Sequence, residues 1–166
     1  YFFVKGADCQ GWATWKRGWD LFEKDGSKLL KELKNKRLYK EFNFDNTYPY
    51  VKMLKNQIKG KVGSWAIRWY ASAFLNNRFT LYPGKTMIYN IGFESNGTNT
   101  NNKEYADIFN SEINITYPNL KKILIAENDT SREAFKTFFK SFSPKLFIRI
   151  KNKMIRMKNF FFQKYI

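Results

Sequence analysis

Histidine is absent from this sequence, and cysteine occurs once, as Cys9. Because these two residues are the usual protein ligands of zinc and other transition metals, a site for such a metal is not expected. A single cysteine excludes a disulfide within the chain and is typical of a reducing compartment. The sequence also lacks the run of about eighteen apolar residues that a membrane-spanning helix requires, and it lacks a secretory signal peptide. These absences predict a cytoplasmic protein.

Acidic residues are scarce relative to basic ones. The chain has 14 Asp and Glu against 30 Lys and Arg, which gives a formal net charge of +16. Such a charge attracts anionic partners, namely nucleic acids, anionic lipids or phosphorylated substrates. The excess is concentrated near the end of the chain, where ten basic residues from Arg132 onward face a single acid, Glu133. With 43% hydrophobic and 19% aromatic residues over 166 positions, the composition predicts a folded domain with its own core.

The segment 64–75 (SWAIRWYASAFL) is the most informative stretch of the chain. Its tryptophans, Trp65 and Trp69, lie four positions apart, which places both indoles on one face of a helix. Ser64 is a suitable N-cap for that helix. Because the segment is so apolar, we expect it to be buried on nearly all sides. Arg68 is then an exception, since a buried guanidinium needs a carboxylate or a bound anion as its partner.

A second informative segment, 6–15 (GADCQGWATW), follows an apolar start and precedes a helical pattern. It is typical of a strand, a loop with glycines and then a helix. Along the whole chain, the spacing of apolar residues and the turn signals predict strands at 1–5, 79–82, 86–90 and 112–116, and helices at 15–24, 28–37, 48–59, 64–76 and 130–142.

Together these two segments resemble the carboxyl half of bacterial family-two-like glycosyltransferases with the GT-A fold. Three shorter stretches are also similar to that family, so that the resemblance covers about residues 1–100: Trp19–Phe22, Leu81–Lys85 and Asn90–Phe93. The resemblance implies an α/β fold. It implies that residues 1–127 form the acceptor-side half of a GT-A domain. The basic and apolar residues near the end of the chain predict that residues 128–166 follow as a helical, basic, amphipathic tail.

The implied activity is transfer of a sugar from a nucleotide-sugar donor to a cell-surface polysaccharide or a lipid-linked saccharide. The chain begins at Tyr1, inside a predicted strand, and the nucleotide-binding half of such enzymes lies upstream. We therefore expect a piece of a longer enzyme that is inactive by itself. The divalent cation of the complete enzyme, Mn²⁺ or Mg²⁺, is expected to have its ligands upstream of residue 1, and no metal ligand is predicted within this chain.

The resemblance also implies where substrates bind. Gly11 would let the backbone approach the donor sugar, and Trp12 would cover a face of it; the alternative is a core tryptophan beside a turn glycine. Asp8, at the end of the first strand, is the candidate catalytic carboxylate, with a loop-capping role as the alternative. The candidate substrate-binding residues are Gln10, Gly11, Trp12, Ser64, Trp65, Arg68 and Asn90.

Two positions depart from the family pattern. Relatives commonly have an acidic residue, suited to the general base, just before the Ser-Trp helix, where this chain has Gly63. Relatives also tend to have a histidine where this chain has Asn99. The general base is therefore not identified, and the choice between inversion and retention stays open.

The tail has alternative interpretations. Residues 144–166 can form a helix with a basic face opposite an apolar face, which suits the anionic inner surface of the cell membrane. The alternative is a terminal helix packed on the body. Two other functions compete with glycosyl transfer: a basic, aromatic nucleic-acid-binding module and a noncatalytic membrane-associated scaffold. Because no nucleic-acid-binding motif is present, nucleic acid is not the expected partner.

Overall fold

The computed structural model describes residues 1–89, 113 and 121–142. The chain divides into two compact units, and each is described separately below. The first unit comprises Tyr1–Lys24 and Arg68–Asn128, and the second comprises Asp25–Ile67 and Asp129–Ile166. In chain order the elements are β1 (Phe2–Lys5), α1 (Lys16–Trp19), α2 (Gly26–Asn35), α3 (Tyr39–Phe42), α4 (Tyr50–Ile58), α5 (Ala66–Leu75), β2 (Phe79–Tyr82) and α6 (Asp129–Phe142).

The described sheet of the first unit is a pair of strands. Strands β1 and β2 are antiparallel, and their register runs from Phe2 opposite Tyr82 to Lys5 opposite Phe79. Aromatic residues are common in strands because they pack well across a pleated surface, and the Phe2 and Tyr82 rings stack with centroids 5.7 Å apart. The predicted strands at 1–5 and 79–82 are therefore confirmed.

The strand predicted at 86–90 is absent over residues 86–89, which are the part of it that the structure describes. Here the hydroxyl of Thr86 donates to the carbonyl oxygen of Ile88 at 3.0 Å. This local side-chain bond offers the backbone an alternative to strand pairing. The strand predicted at 112–116 lies outside the described residues apart from Ile113.

Helix α1 is much shorter than the predicted helix at 15–24. It ends at Trp19, after which the amide of Leu21 donates to the carbonyl of Gly18 and the amide of Phe22 to that of Trp19. The backbone of the next residues bonds to α5 instead of continuing the helix, as the amide of Glu23 donates to Ser72 Oγ at 3.0 Å. Tertiary hydrogen bonds thus override a local helical pattern.

In the second unit, α2 begins earlier than predicted because Asp25 acts as its N-cap. Asp25 Oδ1 accepts hydrogen bonds from the amides of Ser27, at 2.8 Å, and Lys28, at 3.3 Å. The buried face of α2 carries Leu29 and Leu33, and Leu54 of α4 is fully buried. Helix α4 covers Tyr50–Ile58 of the predicted 48–59, with Pro49 as its N-cap, and Gly60 follows with a φ of +68° that suits glycine.

Helix α6 packs through aromatic rings on the segment that connects α3 and α4 in the second unit. Phe139 lies with its centroid 4.7 Å from that of Tyr48 and 5.2 Å from that of Phe44. The helix spans Asp129–Phe142, so it begins one residue before the predicted start at residue 130. The tail beyond Phe142 lies outside the described residues, and the predicted division after residue 127 stays a prediction.

One ion pair anchors α6. Lys136 Nζ lies 2.8 Å from Asp45 Oδ2, and the two side chains are only 14% and 34% exposed. The hydrogen bond from Lys136 holds the pKa of Asp45 below its ordinary value of 3.8, with added attraction from Arg132 and Lys40. The hydrogen bonds to Asp45 and then Glu133 raise the pKa of Lys136 above 10.5.

This pair predicts a pH dependence of stability. Because the pKa of Asp45 is lower in the folded than in the unfolded state, its stabilisation is fully present above about pH 4 and is lost as the pH falls through the folded pKa. We expect Asp45→Asn to destabilise the protein at pH 7 and to reduce the further loss of stability below pH 4. Urea unfolding at a series of pH values between 2.5 and 7 measures the free energy of unfolding at pH 7 and its decrease below pH 4. The control is Asp20→Asn, because Asp20 pairs with Lys16 at an exposed site. An equal effect from both variants would contradict the prediction.

Candidate functional site

Four aromatic side chains from three segments meet in the first unit. The Trp12 ring lies 5.9 Å from that of Trp19 and 5.7 Å from that of Trp69, and Trp19 and Trp69 are 5.2 Å apart, all between centroids. Phe22 stacks on Trp19 at 4.7 Å. We call Trp12, Trp19, Phe22 and Trp69 the aromatic cluster. It joins the loop of segment 6–15 to helix α5 of segment 64–75.

The cluster extends from the interior of the unit to its surface. Trp69 is only 5% exposed because α5 is buried along most of its length, whereas Trp19 is 40% exposed. Trp12 is half-buried between them. Indole faces that are partly accessible and held at fixed angles are suited to stacking against the C–H faces of a sugar.

Two buried nitrogen donors lie on α5 beside this cluster. Trp69 Nε1 and Arg68 Nε are both buried, and neither has a hydrogen-bond partner among the residues that the structure describes. A buried donor without a partner costs about 1–3 kcal/mol, so native proteins nearly always supply an acceptor from the chain, a water or a ligand. The acceptor for each donor would therefore be a water, a ligand or a group outside the described residues.

Arg68 donates a hydrogen bond to a main-chain carbonyl, which is a partner that the sequence did not predict. Its Nη1 donates to the main-chain carbonyl of Lys24 at 2.7 Å, and its guanidinium carbon lies 5.7 Å from the centroid of the Phe22 ring. Within the described part of the chain, Arg68 has no carboxylate partner, although a carboxylate was one of the two partners expected.

Ser72 is a positioning residue that the sequence analysis did not single out. Its buried hydroxyl accepts from the amide of Glu23 at 3.0 Å and donates to the carbonyl of Arg68 at 2.7 Å. Together with the Arg68 bond to Lys24, it fastens residues 22–24 to α5 and so holds Phe22 against the cluster. The available signal was that Ser72 shares a helical face with Trp65 and Trp69.

Asp8 has both carboxylate oxygens engaged. Oδ1 accepts from the amides of Cys9, at 2.6 Å, and Gln10, at 3.2 Å, while Oδ2 accepts from the hydroxyl of Tyr82 at 3.2 Å. This arrangement favours the loop-capping alternative, and the catalytic role of Asp8 stays a prediction. Burial, and then the Asp8 charge, raise the pKa of the Cys9 thiol, which suits a packed residue rather than a nucleophile.

Gly11 has a structural reason to be glycine. Its φ is +53°, and a Cβ built on it would lie 2.3 Å from Cγ2 of Ile88. The close approach to Ile88 is therefore a sufficient reason for glycine at position 11, and no bound ligand is needed to explain it. The neighbouring Gln10 is exposed. The roles of Gly11 and Gln10 in sugar binding stay predictions.

The remaining predicted site residues lie elsewhere. Ser64 and Trp65 belong to the second unit, where Ser64 Oγ accepts from the amide of Ala66 at 3.3 Å, as expected of a helix cap, and Trp65 is 39% exposed. Their part in substrate binding stays a prediction. Asn90 lies outside the described residues.

The described residues contain no group of three His, Cys, Asp or Glu side chains that could hold a metal ion. They also include no helix with the length and apolar character needed to cross a membrane. No family model matches the chain, and no match was found among curated proteins or solved structures.

Proposed function

We propose that this chain is the acceptor-side half of a GT-A glycosyltransferase and that the aromatic cluster lines its donor-sugar pocket. The complete enzyme would transfer a sugar from a nucleotide-sugar donor to a cell-surface polysaccharide or lipid-linked saccharide. The observation that supports this most is the 5.7 Å contact between Trp12 and Trp69. It brings together, within the first unit, one residue from each of the two sequence segments that carry the resemblance.

The cluster has the chemistry that a sugar pocket needs. The faces of Trp12 and Trp19 offer apolar surface for the C–H groups of a pyranose ring. Trp69 Nε1 and Arg68 Nε offer buried donors for its hydroxyl oxygens, where a hydrogen bond is most valuable because water is excluded. Residues 22–24, fastened to α5 through Ser72 and Arg68, keep this wall fixed before the substrate arrives.

A divalent cation would supply positive charge to the leaving diphosphate of the donor. The described residues do not fit such a group, since no three carboxylates or other ligands lie together and Asp8 is engaged in its own loop. In the proposed enzyme the ligands of the cation would therefore come from outside these residues.

Trp12 and Trp69 provide the test, in the natural full-length gene product and with a panel of nucleotide sugars. Trp12→Ala removes an aromatic wall, so we expect kcat/KM to fall about 10–100-fold. Trp69→Phe keeps an aromatic ring, although a smaller one, and removes the Nε1 donor, so we expect a fall of about 3–10-fold. The matched control is Trp15→Phe, since Trp15 is 70% exposed and is not part of the cluster.

Two results would contradict this function. One is unchanged kinetics in a folded Trp12→Ala enzyme. The other is the absence of any sugar transfer by the full-length product, together with tight, salt-sensitive binding of single-stranded DNA that the tryptophan variants weaken. That second result would favour the nucleic-acid-binding alternative.

A further inference from the structure

A groove in the second unit combines apolar and basic side chains. It has a volume of about 460 Å³ and is lined mainly by residues of α2 and α4 with Tyr39 of α3. Its apolar surface comes from Leu30, Ile58 and the Tyr39 ring, and its charge comes from Lys31, Lys34 and Lys55. The volume is within the range of about 300–1,000 Å³ that is typical of ligand pockets.

The charge of this groove is not compensated locally. No acidic side chain of the described residues lines it. The nearest acid along α2 is Glu32, and its Oε1 lies 2.6 Å from Nζ of Lys36, on an i,i+4 pair outside the groove. From Asp25 to Lys61 the sequence has ten basic and four acidic residues, so the surroundings are basic as well. Three lysines held together on two packed helices attract an anion.

The lining also limits what kind of anion fits. Lys31 and Lys34 lie three positions apart, which places them on one side of α2, and Lys55 Nζ lies 5.8 Å from the Tyr39 ring centroid. Ammonium groups bind phosphate as mobile point charges, and their carbon stems lie along apolar surface. A small inorganic anion would leave Leu30 and Ile58 without contacts, whereas an amphiphile uses both parts of the lining.

We propose that this groove binds the head group of an anionic phospholipid at a membrane surface. The phosphate contacts the three lysines, and the glycerol and first acyl carbons contact Leu30, Ile58 and Tyr39. This site concerns membrane attachment through α2 and α4. It does not depend on the proposed sugar transfer, and it is separate from the predicted role of residues 144–166.

The test is cosedimentation of the full chain with vesicles of phosphatidylcholine, with or without phosphatidylglycerol. The groove variant combines Lys31→Gln, Lys34→Gln and Lys55→Gln. The matched control removes the same charge from exposed lysines of the first unit, as Lys85→Gln, Lys121→Gln and Lys122→Gln. Each lysine near an anionic leaflet contributes about fivefold in affinity, so we expect the groove variant to bind up to about 100-fold more weakly and the control to change only a few-fold.

Two further measurements separate a groove from general charge attraction. Ile58→Ser keeps the net charge, and we expect it to weaken vesicle binding about 3–10-fold, because an apolar contact is lost. In titration calorimetry at lipid concentrations below the critical micelle concentration, short-chain phosphatidylglycerol is expected to bind the chain at least tenfold more tightly than inorganic phosphate. Circular dichroism of every variant checks that the helices remain.

The proposal is overturned if the groove and control variants lose affinity equally, since binding would then follow net charge alone. It is also overturned if Ile58→Ser in a folded protein has no effect, or if inorganic phosphate binds as tightly as the short-chain lipid. Competition by single-stranded DNA that depends on the same three lysines, with no preference for lipid, would assign the groove to nucleic acid instead.

Discussion

Replacing Gly6 with alanine is expected to destabilise the protein by about 2–6 kcal/mol, through backbone strain and overpacking together. Gly6 has a φ of +106°, a conformation that L side chains rarely adopt. A Cβ at this position would lie 2.3 Å from Cε2 and 2.7 Å from Cδ2 of Tyr70. Tyr70 is itself buried on α5, so its ring has little freedom to move away.

The backbone of Gly6 is also fixed from both sides. Its amide donates to the carbonyl of Arg78 at 2.8 Å, and its carbonyl accepts from the hydroxyl of Thr80 at 2.9 Å. These bonds extend the pairing of β1 with β2 by one residue and set the direction in which the loop leaves the strand. A shift of Gly6 to relieve the clash would break them, so the strain cannot relax locally.

Two other glycines serve as controls in urea unfolding. Gly63 has no left-handed φ and nothing within 4 Å of a built Cβ, so Gly63→Ala should stabilise by about 0.4–1 kcal/mol. Gly60 has a φ of +68° but open space around it, so Gly60→Ala should cost about 1–2 kcal/mol from the backbone alone. If Gly6→Ala matched Gly63→Ala, the contact with Tyr70 would be wrong.

Local signals in the sequence predicted most of the described elements. The hydrophobic spacing of α2, α4 and α5 is a property of each segment alone, as are the aromatic and β-branched residues of β1 and β2. Their positions therefore needed no knowledge of the fold. Helix α2 starts two residues before the predicted position 28, because an aspartate before glycine and serine is a good N-cap.

The predictions from the sequence failed where a contact between residues distant in the chain decides the structure. The end of α1 depends on Ser72, which is far away in the chain and binds the amide of Glu23. The requirement for glycine at position 11 likewise comes from a contact with Ile88, which is distant in the chain. The partner of Arg68 is a main-chain carbonyl, and a carbonyl has no sequence signature because every residue has one.

The candidate site was predicted in part. Trp12 and the Trp65-to-Trp69 helix were identified as two separate segments, while their contact is a property of the folded unit. Trp19 and Phe22 belong to a short stretch that resembles the glycosyltransferase family, but a Trp-Asp-Leu-Phe sequence does not indicate which rings stack on each other. The groove between α2 and α4 had no sequence signal, because lysines three apart on a helix are usually a solvated face.

Replacing Phe42 with alanine is expected to destabilise the protein by about 3–5 kcal/mol, which is the range measured for Phe→Ala in well-packed cores. Phe42 ends α3, is fully buried, and lies with its ring centroid 6.0 Å from that of Tyr50. Leu33 of α2 and Leu54 of α4 are also 0% exposed. Since the surrounding helices are held by packing, a cavity at this position can collapse only in part.

The measurement is the urea midpoint at constant m-value, which separates a change of stability from a change in the unfolded state. Met53→Ala on α4 is the matched control. It also removes a long apolar side chain from the second unit, but Met53 is 38% exposed, so we expect a change within about 0.5 kcal/mol. A loss below about 1 kcal/mol for Phe42→Ala would mean that α2, α3 and α4 do not share a packed core. The lysines of the groove would then lack the rigid helices on which lipid binding depends.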